Sequence, residues 1–306
     1  MDFNIFDLLL SNKARKRYRE YKKAQFTLFM TLVVRDEDDI IEQNIRFHAA
    51  MGVDGFIVTS HNSVDNTNAI LEKLKRENIV KEIIYKDTPD HKHRFWVNDM
   101  VKIARDKYHA DWVINADADE FFYSRSLNLK KGIAESEGAN MIWLDSLFYF
   151  PYGNDEDFLK SSYFVTKPFL NFEAEQLGIS DNPRYQHLVN FPCMKSLHKT
   201  KGFISVRDGN HSTKMRNRIK SPSVDIRLYH YYIRGYKGYE EKVKRWEKSC
   251  AYLPLDKTGA IQSFVKAYQE GKLLELYNDK YGKEIFDFAV SQGVVTCNAP
   301  HKSSNF

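Results

Sequence analysis

Asp117 and Asp119 stand one residue apart at the end of the apolar run Asp111-Trp112-Val113-Ile114-Asn115-Ala116. Alternate residues of an extended strand point the same way, so both carboxylates can enter one space beyond the strand. Two carboxylates that close repel each other unless a cation lies between them. Hard oxygen ligands select Mg²⁺ or Mn²⁺, and Mg²⁺ commonly takes one or two carboxylates and completes its shell with substrate phosphates. The competing reading is a solvated turn whose acidic residues cap the next helix.

The elements that must position this pair alternate in type. Phe26 to Val34 is a continuous apolar run of the buried-strand kind. The polar turn Arg35-Asp36-Glu37-Asp38-Asp39 follows, then a helix over Ile40, Ile41, Asn44, Ile45, Phe47, His48 and Met51, which Gly52 ends. Gly55 to Thr59 reads as a strand and leads into the turn Ser60 to Thr67; Asn68 to Glu77 reads as a helix, and Val80 to Tyr85 as a third strand. A helix from about Trp96 to Tyr108 precedes the acidic strand. This order predicts an α/β fold, a mostly parallel central sheet with helices on both faces. In such sheets ligands sit outside the carboxyl ends of the strands, where the turns after Val34, Thr59 and Ala116 converge.

Further along, Asn140 to Phe150 reads as a strand, Pro151 to Pro192 as loop, and Phe203 to Val206 and Ile226 to Tyr229 as short strands. Helices are expected near Gly238 to Ala251 and Ala260 to Leu276. The segments expected are a basic amphipathic helix at 1–25, a ligand-binding α/β half at 26–135, a second half of the same domain at 136–250, and a helical extension at 251–306.

A hydrophobic content of 42% supplies ample core, and 28% charged residues mark a soluble globular chain. Cys193, Cys250 and Cys297 are an odd number and far apart, which fits neither a disulfide framework nor a zinc site. With no membrane-length apolar run and no signal-peptide pattern, the chain is expected in the cytoplasm. The run Lys13 to Lys23 behind Ile5 to Leu10 would suit peripheral contact with an anionic membrane on its inner face, or a solvated helix packed on the domain. No module for reading nucleic acid accompanies it.

Four segments in order carry a resemblance: Val33-Val34-Arg35-Asp36-Glu37, Asn62-Ser63-Val64-Asp65-Asn66-Thr67, Asp117-Ala118-Asp119-Glu120-Phe121, and Leu228-Tyr229-His230-Tyr231-Tyr232-Ile233-Arg234-Gly235-Tyr236. Together, over about Phe26 to Trp246, they resemble glycosyltransferase family 2-like proteins of GT-A fold, of the bacterial polysaccharide type. Asp36 stands where Asn is common there, and Gly235 where Ser is common. The resemblance implies a Rossmann-like GT-A core with C-terminal helices and a metal-dependent, inverting transfer of a hexosyl-type sugar. The donor would be a nucleotide-diphosphate sugar and the acceptor a glycan or lipid-linked hydroxyl. It further implies that Arg35, Asp36, Asn62 and Asp65 grip the nucleoside; the competing reading of Asp65 is an N-cap of the following helix, and one residue can do both. Asp117 and Asp119 would hold Mn²⁺ or Mg²⁺, with His211 as third ligand and His230 as its alternative. Lys195, His198 and Arg234 would face the diphosphate.

The metal would act as a Lewis acid on the departing diphosphate. Inversion also needs a general base, for which Asp145 and Asp208 are the candidates, with Glu173 and Glu175 behind them. Glu120 suits orientation of a ligand better than base chemistry. Trp143, Phe148, Tyr149 and Tyr152 suit either a sugar platform or the core. Two other classes stay open: a nucleotidyltransferase making the activated sugar, against which stands the absence of Gly from Phe26 to Asp39, and a non-catalytic carbohydrate-binding protein of the same fold.

Overall fold

The computed structural model describes residues 26–88, 92–136, 138–152, 158–160, 163–189, 194–250 and 259–297. The basic helix expected at 1–25 lies outside them, as does Cys193. By contacts the chain forms two units, Met1–Ser146 with Pro192–His230, and Leu147–Phe191 with Tyr231–Phe306.

The first unit is built on β1 (Leu28–Val34), α1 (Ile41–Ala50), β2 (Gly55–His61), α2 (Thr67–Arg76), β3 (Val80–Lys86), α3 (His93–Tyr108) and β4 (Trp112–Ala116). β1 pairs in parallel with β2 and with β4, and β2 with β3. The expected order of strands and helices is therefore present, with ends shifted by one to three residues. β2 and β4 are buried along their whole length, and β1 at six of its seven residues. Strands covered on both faces read as continuous apolar runs, which is why these were visible in the sequence. α1 buries Ile41, Asn44, Ile45, Phe47 and His48. Its stop at Gly52 uses a backbone with φ of +100°, open to glycine and strained for other residues.

Less visible were β5 (Glu120–Ser124) and the helix after it, α4 (Leu129–Ala134), which precede β6 (Met141–Tyr149). In the loop-like stretch, β7 (Tyr163–Val165) and α5 (Asn171–Gln176) form. β8 (Met194–Lys199), β9 (Phe203–Val206), β10 (Thr213–Met215), β11 (Lys220–Pro222) and β12 (Ile226–His230) follow. β8 inserts antiparallel between β4 and β6, and turns the parallel sheet into a mixed one. β12 pairs antiparallel with β5, placing His230 opposite Glu120. α4 lies close to β12: a Cβ on Gly132 would stand 2.7 Å from Ile226 Cγ1.

The second unit holds α6 (Gly235–Cys250), α7 (Gly259–Gln269), α8 (Leu273–Tyr281), α9 (Lys283–Ser291) and β13 (Val295–Cys297), which pairs antiparallel with β7. The single helix expected over Ala260 to Leu276 is two, because the chain turns at Gly271 with φ of +69°. One core of this unit gathers Phe150, Phe169, Leu188 and Ile285, and another Tyr239, Val243, Leu273 and Tyr277. Among the described residues no helix is long and apolar enough to cross a membrane.

Candidate active site

Two turns at the carboxyl ends of β1 and β2 are stitched by backbone-to-carboxylate hydrogen bonds. Asp36, at φ of +53°, accepts from the Val64 N–H at 2.8 Å. Asp65 accepts from the Asp38 N–H at 3.1 Å and the Thr67 N–H at 2.9 Å, and Thr67 Oγ1 accepts from the Glu37 N–H at 2.8 Å. Burial pushes the Asp65 carboxyl up, but the hydrogen bonds from Thr67 and Asp38 outweigh it and hold it below the ordinary value. Arg35 is exposed and lies 3.8 Å from Asp36, a contact of small energetic weight. Asn62, also left-handed, turns its amide to the Thr88 carbonyl at 2.9 Å.

The acidic turn is held quite differently. Lys195, on β8 and almost wholly buried, donates to Asp117 Oδ2 at 2.9 Å and to the Gly209 carbonyl at 2.8 Å, and stands 3.0 Å from Glu120 Oε1. Glu120, fully buried, reaches back with Oε2 to accept from the Asp117 N–H at 3.0 Å. Burial penalises every charge here, so the pairings decide the outcome. Burial drives the Glu120 carboxyl up to about 7 despite Lys195. It also raises Asp117, but the Lys195 ammonium outweighs it and Asp117 ends below the ordinary value. Burial alone would lower Lys195; Glu120 and Asp117 reverse that and hold it well above the ordinary lysine range.

Asp119 is buried and meets an imidazole: His230 Nε2 lies 3.3 Å from its Oδ1, while His230 Nδ1 is 4.0 Å from Glu120. His93, at the start of α3, brings Nε2 to 3.9 Å from Asp117 Oδ1. From beneath, α1 grips the backbone of the turn. Asn44 donates to the Ala118 and Glu120 carbonyls, both at 2.8 Å, and His48 Nε2 accepts from the Phe122 N–H at 2.9 Å. The His48 ring is neutral, since burial lowers its pKa to about 3.

Asp117, Asp119, Lys195 and His230 are thus brought together, and Asp36 and Asp65 form the neighbouring pair of turns. His198 is not among them. Three residues apart on a strand means opposite faces, so His198 turns away from Lys195 into the core. There it meets the Asn115 amide at 2.9 Å and stacks on Phe203, and burial takes its pKa to about 4. His211 is exposed, and a Cβ on Gly209 would stand 2.7 Å from its ring. Asp145 is exposed on β6, opposite Met194. Asp208 lies in the short turn Asp208–Asn210, and its side chain is not described. Arg234 belongs to the second unit, with its guanidinium 6.0 Å from the Phe158 ring. Of the expected aromatic platform, Trp143 lies under the Lys220 ammonium at 5.0 Å, Tyr149 is buried, and Tyr152 stacks on Phe286 at 3.8 Å.

Among the described residues no three His, Cys, Asp or Glu side chains converge to hold a metal by themselves. Two donors are in place. Ligands about 2.1 Å from an octahedral ion and at right angles stand about 3 Å apart. The 3.3 Å between Asp119 Oδ1 and His230 Nε2 fits that spacing. Asp117 shares its charge with Lys195, so it is the weaker donor. The acidic turn therefore fits a divalent ion whose remaining ligands come from a substrate or water.

A family model described as glycosyltransferase family 92 matches residues 31–273. The four motifs resemble family 2-like proteins; the model that matches is that of family 92. No curated protein matches the chain in sequence. Among solved structures, S. aureus TarS 1-349 is similar with a TM-score of 0.41 and 12% identity over 87% of this chain and 74% of that one. The same protein in complex with UDP-GlcNAc gives 0.42 and 11%, over 84% and 73%. Glucosyl-3-phosphoglycerate synthase from Mycobacterium tuberculosis, in complex with Mn²⁺, UDP and glucosyl-3-phosphoglycerate, gives 0.31 and 17%. That match covers 42% of this chain and 46% of the synthase, less than half of either.

Proposed function

The chain belongs to glycosyltransferase family 92, and from that premise we propose a metal-dependent, inverting transfer of a hexosyl-type sugar from a nucleotide-diphosphate donor. The acceptor class is the hydroxyl of a glycan or lipid-linked saccharide, as in polysaccharide assembly. The observation that carries the metal side is the pairing of Asp119 with His230 at 3.3 Å inside an otherwise buried acidic turn. Asp119 and His230 are the protein ligands in this reading, His230 replacing His211 as the preferred imidazole. A Mn²⁺ or Mg²⁺ ion held there would supply Lewis acidity toward the departing diphosphate.

The chain's own groups do the rest. Asp117, oriented by Lys195 and by its N–H bond to Glu120, presents its solvent-facing side to the donor. The buried Lys195 offsets part of the charge of three carboxylates, leaving a net negative turn suited to one divalent cation. The stitched turns at Arg35, Asp36, Asn62 and Asp65 form a rigid ledge for a nucleoside, with Arg35 and Asp36 as the outer edge. A rigid ledge limits the ordering cost of binding. Asp145 and Asp208 remain the general-base candidates, Asp145 for its exposed place on β6.

Calorimetric titration of Mn²⁺ into the protein, with donor hydrolysis measured in parallel, tests the reading. Asp119→Asn and His230→Ala should each weaken Mn²⁺ binding by 10-fold or more and reduce hydrolysis on the order of 100-fold. His211→Ala should leave both within a factor of a few. Full Mn²⁺ affinity in His230→Ala would overturn the ligand assignment, and a wild-type protein that binds Mn²⁺ and donor yet never cleaves it would favour a carbohydrate-binding role.

A further inference from the structure

The first unit has a second charged region, at the other end of the strand pair that carries Lys195. In the antiparallel ladder of β4 and β8, Ile114 faces Leu197 and Trp112 faces Lys199. Lys195 thus adjoins the acidic turn while Lys199, four residues on, lies roughly 13 Å away along the strand.

At that far end three turns lock together. The Arg216 N–H donates to the Gly202 carbonyl at 2.7 Å, the Asn140 amide donates to the Asn217 carbonyl at 2.9 Å, and the Ile219 N–H donates to Asn140 Oδ1 at 2.9 Å. Lys201, Lys214, Arg216 and Arg218 are all exposed there, and none forms an ion pair with a carboxylate among the described residues. Asp111, just before β4, accepts from the Thr27 N–H at 2.8 Å. From Lys199 to Lys220 the sequence carries Lys199, Lys201, Arg207, Lys214, Arg216, Arg218 and Lys220 against the single acid Asp208. Two large aliphatic side chains lie in the same strands and turns as these cations: Ile204 is 49% exposed and Ile219 58%.

The Phe26 ring lies 6.5 Å from Trp112, and the Lys199 ammonium covers the same indole at 5.6 Å. The sequence just before Phe26 is itself basic, with Lys13, Arg15, Lys16, Arg17, Arg19, Lys22 and Lys23.

We propose that the surface formed by Lys201, Lys214, Arg216 and Arg218 with Ile204 and Ile219 docks the protein on an anionic phospholipid bilayer. Unpaired cations supply attraction to the negative headgroups, and aliphatic side chains between them enter the headgroup boundary. A soluble polyanion would use the cations alone and leave the two aliphatic side chains without a role. The assignment is independent of the donor chemistry above, since no residue of this surface belongs to the acidic turn.

The test is co-sedimentation of the full chain with vesicles of phosphatidylglycerol and phosphatidylcholine, and with vesicles of phosphatidylcholine alone, at low and high salt. Binding is expected to the anionic vesicles only and to weaken strongly with salt. Each cation near such a surface contributes about five-fold in partitioning, so K201Q/K214Q/R216Q/R218Q should lose on the order of 100-fold or more. The pair K201Q/R218Q, a milder change at two exposed positions, should lose on the order of 10-fold or more. I204S/I219S should weaken binding several-fold without changing its salt dependence. Binding by the four-fold variant equal to wild type would place the contact elsewhere and overturn the proposal. Unchanged binding by I204S/I219S, with soluble polyphosphate displacing the protein, would overturn it in favour of a soluble polyanion.

Discussion

The two neighbouring parts of the site are built on opposite plans. The ledge around Asp36 and Asp65 is held by carboxylates accepting from backbone N–H groups of two adjacent βα turns. Each bond there is short-range or joins strands already side by side, and the residues stay partly in water. The acidic turn is held by an ammonium from β8 and an imidazole from β12, both far away in sequence, inside a buried space. Local backbone bonds make a ledge that tolerates the loss of any one of them. A buried set of opposite charges stands or falls together, because each member is the solvation of the others.

The sharpest way to break this comparison is Lys195→Ala, which strands Asp117 and Glu120 without their counter-charge. It should destabilise the protein by about 3–5 kcal/mol in urea unfolding. A cost under about 1 kcal/mol would mean the turn is wetter than its burial implies.

Acidification gives a smaller effect and separates the two plans by sign. His48 titrates at about 3 in the folded protein against an ordinary 6.5, so the stability it secures is complete above 6.5 and is lost as pH falls. His198, at about 4, acts in the same direction. Each costs about 2 kcal/mol by pH 5, at 1.36 kcal/mol per unit. Glu120 works oppositely: held at about 7 against 4.5, its contribution is present below 4.5 and lost as pH rises through 7. Between pH 7 and pH 5 it offsets part of the histidine loss. Glu120→Gln should therefore make the fall in stability over that interval steeper than in wild type, measured by urea unfolding at both pH values. An unchanged slope would remove Glu120 from the balance.

Asp65→Ala should cost least, about 1 kcal/mol, since it removes one carboxylate from a turn that retains the Thr67 and Asp36 bonds. Thermal unfolding would read it, and a loss matching that of Lys195→Ala would erase the distinction between the two plans.

The same contrast explains what the sequence disclosed. β1, β2 and β4 are apolar throughout because both faces are covered, and their polar turns mark the site's edge. β8 reads Met-Lys-Ser-Leu-His-Lys, which carries no apolar run; its polar side chains are buried through Asn115, Thr213 and the acidic turn, partners invisible in one dimension. Recognising a strand there would have separated Lys195 from His198 by the period of two. β5 was hidden because the acidic motif drew attention to a turn, although Phe121-Phe122-Tyr123 is a plain strand signal. Its pairing with β12 is what places His230 opposite Glu120 and beside Asp119. Asn44 and His48 were read as part of a helix face, and only the backbone carbonyls and N–H above them give them work. His93 stood in a polar stretch with no pattern around it.

The pairing of β5 with β12 also constrains how the chain can change in length. Side chains along β12 alternate between faces, and α4 lies so close at Gly132 that the strand has little freedom to shift. A residue inserted or deleted in the exposed turn between β10 and β11 is absorbed there. The same event between Ile226 and Tyr229 would carry Tyr229, or Tyr231, into the place opposite Glu120. Length variants in this part of the chain should thus divide sharply, with the reading frame of one five-residue strand deciding whether an imidazole or a phenol faces Asp119.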